Sequence, residues 1–215
     1  MPVILVYGDS NSHGTPPISD RCVTARHGHK DRWPNVMAAK LGKDYEVISE
    51  ALPGRTTVHE DVIEGGARNG LAVLPAALHS HKPLDLVMIM LGTNDLKPRF
   101  SVRALEIAAS IARLVREVQA SGTARAVMIV VPVDTRETGT LKDDFAGSQA
   151  RQKGLADRLR QVANDLGCGF MDANKWARVS DIDGVHLAVA DHHSLGRAAA
   201  NAVTDHLNAL NNAAI

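Results

Sequence analysis

Five short apolar runs, each followed by a loop and then a helical pattern, constrain this chain more than any other feature. They are Val3–Tyr7, Glu46–Ala51, Leu84–Leu91, Ala126–Val133 and Gly169–Asp172. Three of them are nearly continuous in Val, Ile, Leu and Met, which suits strands covered on both faces of a parallel sheet. Between and after them the pattern predicts helices over Trp33–Leu41, Asn69–His79, Ser101–Gln119, Gln149–Leu166 and Asp191–Leu210. The clearest, Ser101–Gln119, sets Leu105, Ile107, Ala108, Ile111, Ala112, Leu114, Val115 and Val118 on one apolar face. Gln149–Leu166 turns Leu155, Leu159, Val162 and Leu166 inward. Strand alternating with helix predicts a three-layer α/β architecture. With 215 residues and no internal repeat or linker, one domain over residues 1–215 is expected.

Composition narrows the function classes. Hydrophobic residues make up 45% and charged residues 22%, which excludes a disordered chain. Lys+Arg is 24 and Asp+Glu is 24, so there is no basic excess to neutralise phosphates and no nucleic-acid partner is expected. The same neutrality leaves self-association unopposed. Aromatic residues are 3%, too few for a base-stacking platform. Cys22 and Cys168 form no C-x-x-C pattern, so neither a disulfide framework nor a cysteine zinc site is expected. No apolar run approaches the ~20 residues of a membrane span. The N-terminal Met-Pro-Val-Ile-Leu-Val-Tyr-Gly has no basic segment, and a cytoplasmic location is expected.

The chemistry gathers at strand ends. The first strand runs into Gly8-Asp9-Ser10, which exposes a serine hydroxyl at the edge where open α/β sheets bind ligands. On its own such a serine is more often a helix cap or turn former. The second strand leads into Pro53-Gly54-Arg55-Thr56-Thr57, where Gly54 is either a plain turn residue or a backbone N–H that a ligand can approach closely. The third leads into Gly92-Thr93-Asn94-Asp95. Asn94 carries an amide with two donor hydrogens, or else forms an Asx turn. After the fifth comes Asp183-Gly184-Val185-His186. Its spacing predicts that both side chains share one side of a helical turn, where Asp183 accepts the imidazole Nδ1–H and leaves Nε2 as base. Together these pieces supply a nucleophile, a base, an orienting carboxylate and oxyanion donors on one sheet edge.

These blocks resemble the SGNH (GDSL-type) hydrolases. Gly8-Asp9-Ser10, Gly54, Gly92-Thr93-Asn94-Asp95 and Asp183-Gly184-Val185-His186 match the family's blocks in order, over nearly the whole chain. The run Pro83–Asp95 and Arg55-Thr56-Thr57 bring it closest to the bacterial arylesterase and perhydrolase branch. The resemblance implies a flavodoxin-like five-stranded parallel sheet of order 2-1-3-4-5 with helices on both faces. It implies a serine esterase with Ser10, Asp183 and His186 as triad, and the Ser10 and Gly54 N–H groups and Asn94 amide as oxyanion hole. No metal or organic cofactor is implied. Asn11 stands where the family often has Leu, and His13 where the branch tends to carry an aromatic. With Arg55 they are candidate substrate contacts, which bear on acyl-pocket shape.

The remaining features have plainer readings. Asp9 and Asp95 are expected to stabilise turns. Arg55 and Arg99 either line the pocket or are solvated. The pairs His27/His29, His79/His81 and His192/His193 lack a third ligand at firm spacing, so no metal site is expected. The loops Ser12–Asp31 and Asp134–Gly147 follow strands directly and read as pocket walls or mobile surface. Their polarity predicts short acyl groups. A small-molecule ester is the expected partner, and the arylesterase likeness implies a homo-oligomer. Two alternatives remain: transfer of the acyl group to an alcohol or peroxide, and a non-catalytic flavodoxin-like binding module. The second lacks a G-x-x-x-x-G-K-[ST] or G-x-G-x-x-G loop.

Overall fold

In the computed structural model, which describes residues 1–22 and 24–213, five parallel strands form one sheet. They are β1 (Val3–Gly8), β2 (Glu46–Ala51), β3 (Leu86–Met90), β4 (Val127–Val131) and β5 (Gly169–Asp172), in the order β2-β1-β3-β4-β5. All four pairings are parallel. The three near-continuous apolar runs take the inner positions, where both faces are covered. The run containing Glu46, Ser49 and Glu50 lies at one edge, where its polar side chains reach water.

The helices are α1 (Ser10–His13), α2 (Trp33–Leu41), α3 (Gly70–His81), α4 (Ala104–Ser121), α5 (Ser148–Arg151), α6 (Leu155–Asp165) and α7 (Val189–Ala213). Alternation along each strand splits the core in two. Leu5, Tyr7, Val87, Ile89 and Ile129 face α3, α4 and α6. Ile4, Val6, Met88, Met128 and Val130 face α2 and α7, chiefly through Trp33, Met37, Leu195 and Val203.

Two expectations need correction. The helix expected over Gln149–Leu166 is two pieces, because Gly154 adopts φ +80°, outside the right-handed helical region. The residue that follows the first piece anchors the segment after β4. Gln152 receives the Thr135 N–H and hydroxyl at 2.9 and 2.8 Å and donates to Thr135 O at 3.0 Å. Leu105, assigned to the buried stripe of α4, is 57% exposed. It lies in the first turn, at the flank of the stripe formed by Ile107, Ile111, Leu114 and Val118.

Strand order puts the ends of β2, β1 and β3 side by side. The segments that follow, beginning at Leu52, Asp9 and Leu91, therefore share one rim, and the turn before α7 comes up against them. No helix of the described residues is long and apolar enough to cross a membrane.

Candidate active site

At the end of β1 the chain turns at once into α1. Asp9 caps that helix by accepting the Asn11 N–H at 3.0 Å, which fixes Ser10 as its first residue. Ser10 Oγ lies 3.0 Å from His186 Nε2, and His186 Nδ1 lies 2.7 Å from Asp183 Oδ2. The carboxylate must receive Nδ1–H, so Nε2 carries the lone pair that faces the serine hydroxyl. Asp183 and His186 are not on a helical turn as their spacing suggested. They sit in a turn before α7, shaped by Asp183 Oδ1 accepting the N–H groups of Val185 and His186, both at 2.9 Å. Oδ2 also accepts the Ile18 N–H at 2.7 Å from the loop after α1. Burial disfavours ionisation of Asp183, but the hydrogen bond and charge of His186 and the backbone donors outweigh it and hold the carboxyl below its ordinary range.

The other two strand ends complete the rim. Gly54 has φ +78°, which L side chains rarely adopt. A Cβ there would stand 2.7 Å from Glu64 Oε2 and 3.1 Å from Arg68 Nε, so its face is packed against charged side chains. Asn94 donates one amide hydrogen to Arg55 O at 3.1 Å, which orients the group and leaves the second hydrogen to donate elsewhere. Asp95 clamps the two loops together: its carboxylate accepts the Thr57 N–H at 3.0 Å and the Thr57 hydroxyl. Ser10, Gly54, Asn94 and His186 all line one cavity of about 200 Å³.

That geometry sits inside a recognisable chain. The GDSL-like Lipase/Acylhydrolase family matches over residues 6–210. The chain belongs to this family. Among solved structures, a carbohydrate acetylesterase family member from Sinorhizobium meliloti is 38% identical, with a TM-score of 0.90 over 97% of this chain and 100% of the other. A second carbohydrate acetylesterase from Sinorhizobium meliloti is 33% identical, with a TM-score of 0.90 over 95% and 99%. The native M. smegmatis aryl esterase is 35% identical, with a TM-score of 0.89 over 95% and 99%. No curated protein matches. This GDSL-type protein is a carboxylic ester hydrolase of the SGNH esterase kind.

Within this GDSL-type esterase, two expected substrate contacts are corrected. Asn11 is 1% exposed and has both ends of its amide engaged, donating to Val185 O at 3.0 Å and accepting the Leu187 N–H at 3.2 Å. It brackets the His186 backbone and does not reach the cavity. Arg55 is 3% exposed; its guanidinium lies 4.1 Å from the Tyr7 ring centroid and donates to the carbonyls of Gly8 and Glu50. It ties β1 to β2 beneath the rim. His13 does face ligand space, lining a neighbouring cavity of about 480 Å³. Burial, with Arg26 and Arg32, pushes its imidazole down to about 4, so it is neutral at pH 7. Arg99 pairs with Asp61 at 2.7 Å and Glu64 at 2.6 Å, and lines neither of these two cavities.

Both long loops wall the larger cavity, with Pro16, Pro17 and Ile18 from one and Leu141 and Asp144 from the other. The wall is more apolar than its sequence suggested, because these residues turn inward. The loops are tied together: Thr140 donates its hydroxyl to Ile18 O, and Arg21 pairs with Asp144. Val23 lies outside the described residues. Within the histidine pairs, His81 pairs with Glu50 and His193 with Asp31, both at 3.0 Å. His192 is fully buried, accepts the Trp33 N–H at 3.3 Å, and is pushed down to about 3 chiefly by burial. Among the described residues no group of three or more His, Cys, Asp or Glu is placed to hold a metal ion.

Sequence reading named the two loops as walls without singling out Ile18 and Phe145 within them, and missed Glu64, Arg68 and Lys97. Ile18 acts through a main-chain N–H, which leaves no trace in residue type. The others come together only when the segments after β2, β3 and β4 fold onto one rim.

Proposed function

We propose that this esterase cleaves short-chain acyl esters, acetyl esters foremost, of aryl, alkyl or carbohydrate alcohols, through an acyl-enzyme on Ser10. The observation that carries this is the unbroken line Asp183–His186–Ser10, at 2.7 and 3.0 Å, opening on a cavity of about 200 Å³ beside Gly54 and Asn94. The names of the related structures, acetylesterases and an aryl esterase, agree with it.

His186 Nε2 takes the hydroxyl proton as Ser10 Oγ forms a bond to the ester carbonyl carbon. Asp183 stabilises the imidazolium. The carbonyl oxygen gathers negative charge and accepts hydrogen bonds from the N–H groups of Ser10 and Gly54 and the free amide hydrogen of Asn94. Loss of one such donor typically costs ~2.7–4 kcal/mol of barrier. His186 returns the proton to the departing alcohol oxygen, and the carbon–oxygen bond breaks. Water then repeats the sequence on the acyl-enzyme and restores Ser10. The leaving alcohol extends into the larger cavity, which shares Thr15, Ile18, Pro53 and Leu141 with the smaller one.

The test is turnover of p-nitrophenyl acetate, butanoate and octanoate. Acetate is expected to give the highest kcat/KM, and Ser10→Ala to abolish turnover. Activity retained in Ser10→Ala, or octanoate turned over as well as acetate, contradicts the reading.

A further inference from the structure

The wall of the smaller cavity carries more charge than a cleft for a plain acetyl group needs. Glu64, Arg68, Lys97 and Asp144 line it beside the Ser10–His186 pair. Three of these are neutralised within the protein. Glu64 pairs with Lys97 and with Arg99, at 2.6 Å to the latter, and Asp61 stands 3.9 Å from Lys97 and 2.7 Å from Arg99. That quartet of two carboxylates and two cations balances. Asp144 pairs with Arg21. Arg68 is left over. Among the described residues no carboxylate lies within 4.0 Å of its guanidinium, and its Nε is buried without a hydrogen-bond partner.

The fold does not use this guanidinium, yet it fixes where the residue stands. Arg68 O accepts both the N–H and the hydroxyl of Thr56, at 2.9 and 3.2 Å, and Arg68 N donates to Gly66 O at 2.8 Å. The side chain then lies across the face of Gly54, its Nε 3.1 Å from where a Cβ would be. The Nε donor, held out of water with no acceptor, is costly, while the residue as a whole is only half-buried and its charge is open to a ligand. A guanidinium is also the side chain whose planar fork matches a carboxylate with two parallel hydrogen bonds.

We propose that Arg68 is a specificity-determining residue that receives an anionic acyl substituent, so that esters of short acyl chains ending in a carboxylate are preferred over neutral esters of the same length. This rests on the proposed serine esterase reading and deepens it. The ester carbonyl lies against Gly54 and Asn94, and the acyl chain runs along Gly54 until its terminal carboxylate meets Arg68. Glu64 Oε2 stands on the same face, and the charge of that carboxylate is taken up by Lys97 and Arg99. Phe145 and Val185 line the same cavity and supply the apolar surface that the methylenes contact.

The experiment compares monoethyl succinate with ethyl levulinate, a neutral ester of matching length, using ethyl acetate as reference and Ser10→Ala as blank. Ethanol release gives kcat/KM for each. The wild-type enzyme is expected to prefer the half-ester by about tenfold or more, a factor within reach of a charge-assisted hydrogen bond. Arg68→Gln is expected to erase that ratio, and Arg68→Lys to retain part of it. Free succinate is expected to inhibit wild-type acetate turnover competitively, and more strongly than butanoate does; this arm needs no variant to fold. A wild-type ratio near one, a ratio that Arg68→Gln leaves unchanged while all esters slow alike, or equal inhibition by succinate and butanoate overturns the proposal. Failure of the serine esterase reading would look different: ethyl acetate would go uncleaved, or would be cleaved equally by Ser10→Ala.

Discussion

Asp9 is a carboxylate in an unfavourable place. It is fully buried, one oxygen caps α1, and the other has no hydrogen-bond partner among the described residues. Burial pushes its carboxyl up to about 6, against relief from the Asn11 N–H and the neighbouring His186. A raised folded-state value in an acid means stability that is present at low pH and lost as pH rises through about 6. Asp9→Asn keeps the oxygen that caps α1 and removes the charge. Its stability advantage over wild type should therefore grow between pH 4.5 and pH 7.5, by roughly 2 kcal/mol given ~1.4 kcal/mol per pKa unit. Urea unfolding at the two pH values checks this, and equal differences at both would show that Asp9 carries no such penalty. At this scale the sequence was legible where side-chain type names the chemistry, as for Ser10, Asp183, His186 and Asn94. It misled where a polar residue beside the site serves the scaffold: the Asn11 amide and the Arg55 guanidinium are consumed by backbone carbonyls and N–H groups that only the folded chain brings near.

The two loops that wall the cavities act as one element. Thr140 holds Ile18 by its carbonyl, and Ile18 in turn donates its N–H to Asp183 Oδ2. The mouth of the site is thus linked to the carboxylate that orients His186. Thr140→Val removes the hydroxyl, and Ile18 should drift from Asp183. With one donor fewer on the carboxylate, the Asp183–His186 pair should be held less firmly, and kcat should fall roughly threefold to tenfold, a part of what positioned acid–base groups contribute. A lower Tm with kcat unchanged would show that the latch is only structural. None of this was visible in the sequence, where both loops read as polar and irregular. The strands were visible because burial on both faces writes itself as uninterrupted Val, Ile, Leu and Met. Helix ends were less so: the break before α6 depends on the φ of Gly154, and a glycine is compatible with either side of the φ axis.

At the scale of the molecule, one rim collects three strand ends and the turn before α7, so four blocks far apart in sequence meet around one serine. The alternating layers follow from the apolar pattern, and the sheet order from the family resemblance. Self-association is a proposal of another kind. Val62 and Ile63 are 88% and 72% exposed, and Ile63 borders a surface depression with Pro98, Arg99, Thr140 and Asp144. Burying such side chains against a second copy would stabilise an assembly by ~1.5–3 kcal/mol each at full burial. Light scattering after size exclusion should give a multiple of 23.0 kDa, and a mass of one chain would remove the proposal.

The nucleophile itself is the most direct thing to measure. A phosphonate ester with a p-nitrophenol leaving group traps an activated serine by displacing the phenol and forming a stable tetrahedral adduct. One phosphonyl group per chain is expected, on the peptide carrying Ser10, with activity lost in proportion to labelling and no labelling of His186→Ala on the same timescale. Label on another residue, or full ester hydrolysis by a chain phosphonylated at Ser10, would contradict the Ser10 acyl-enzyme.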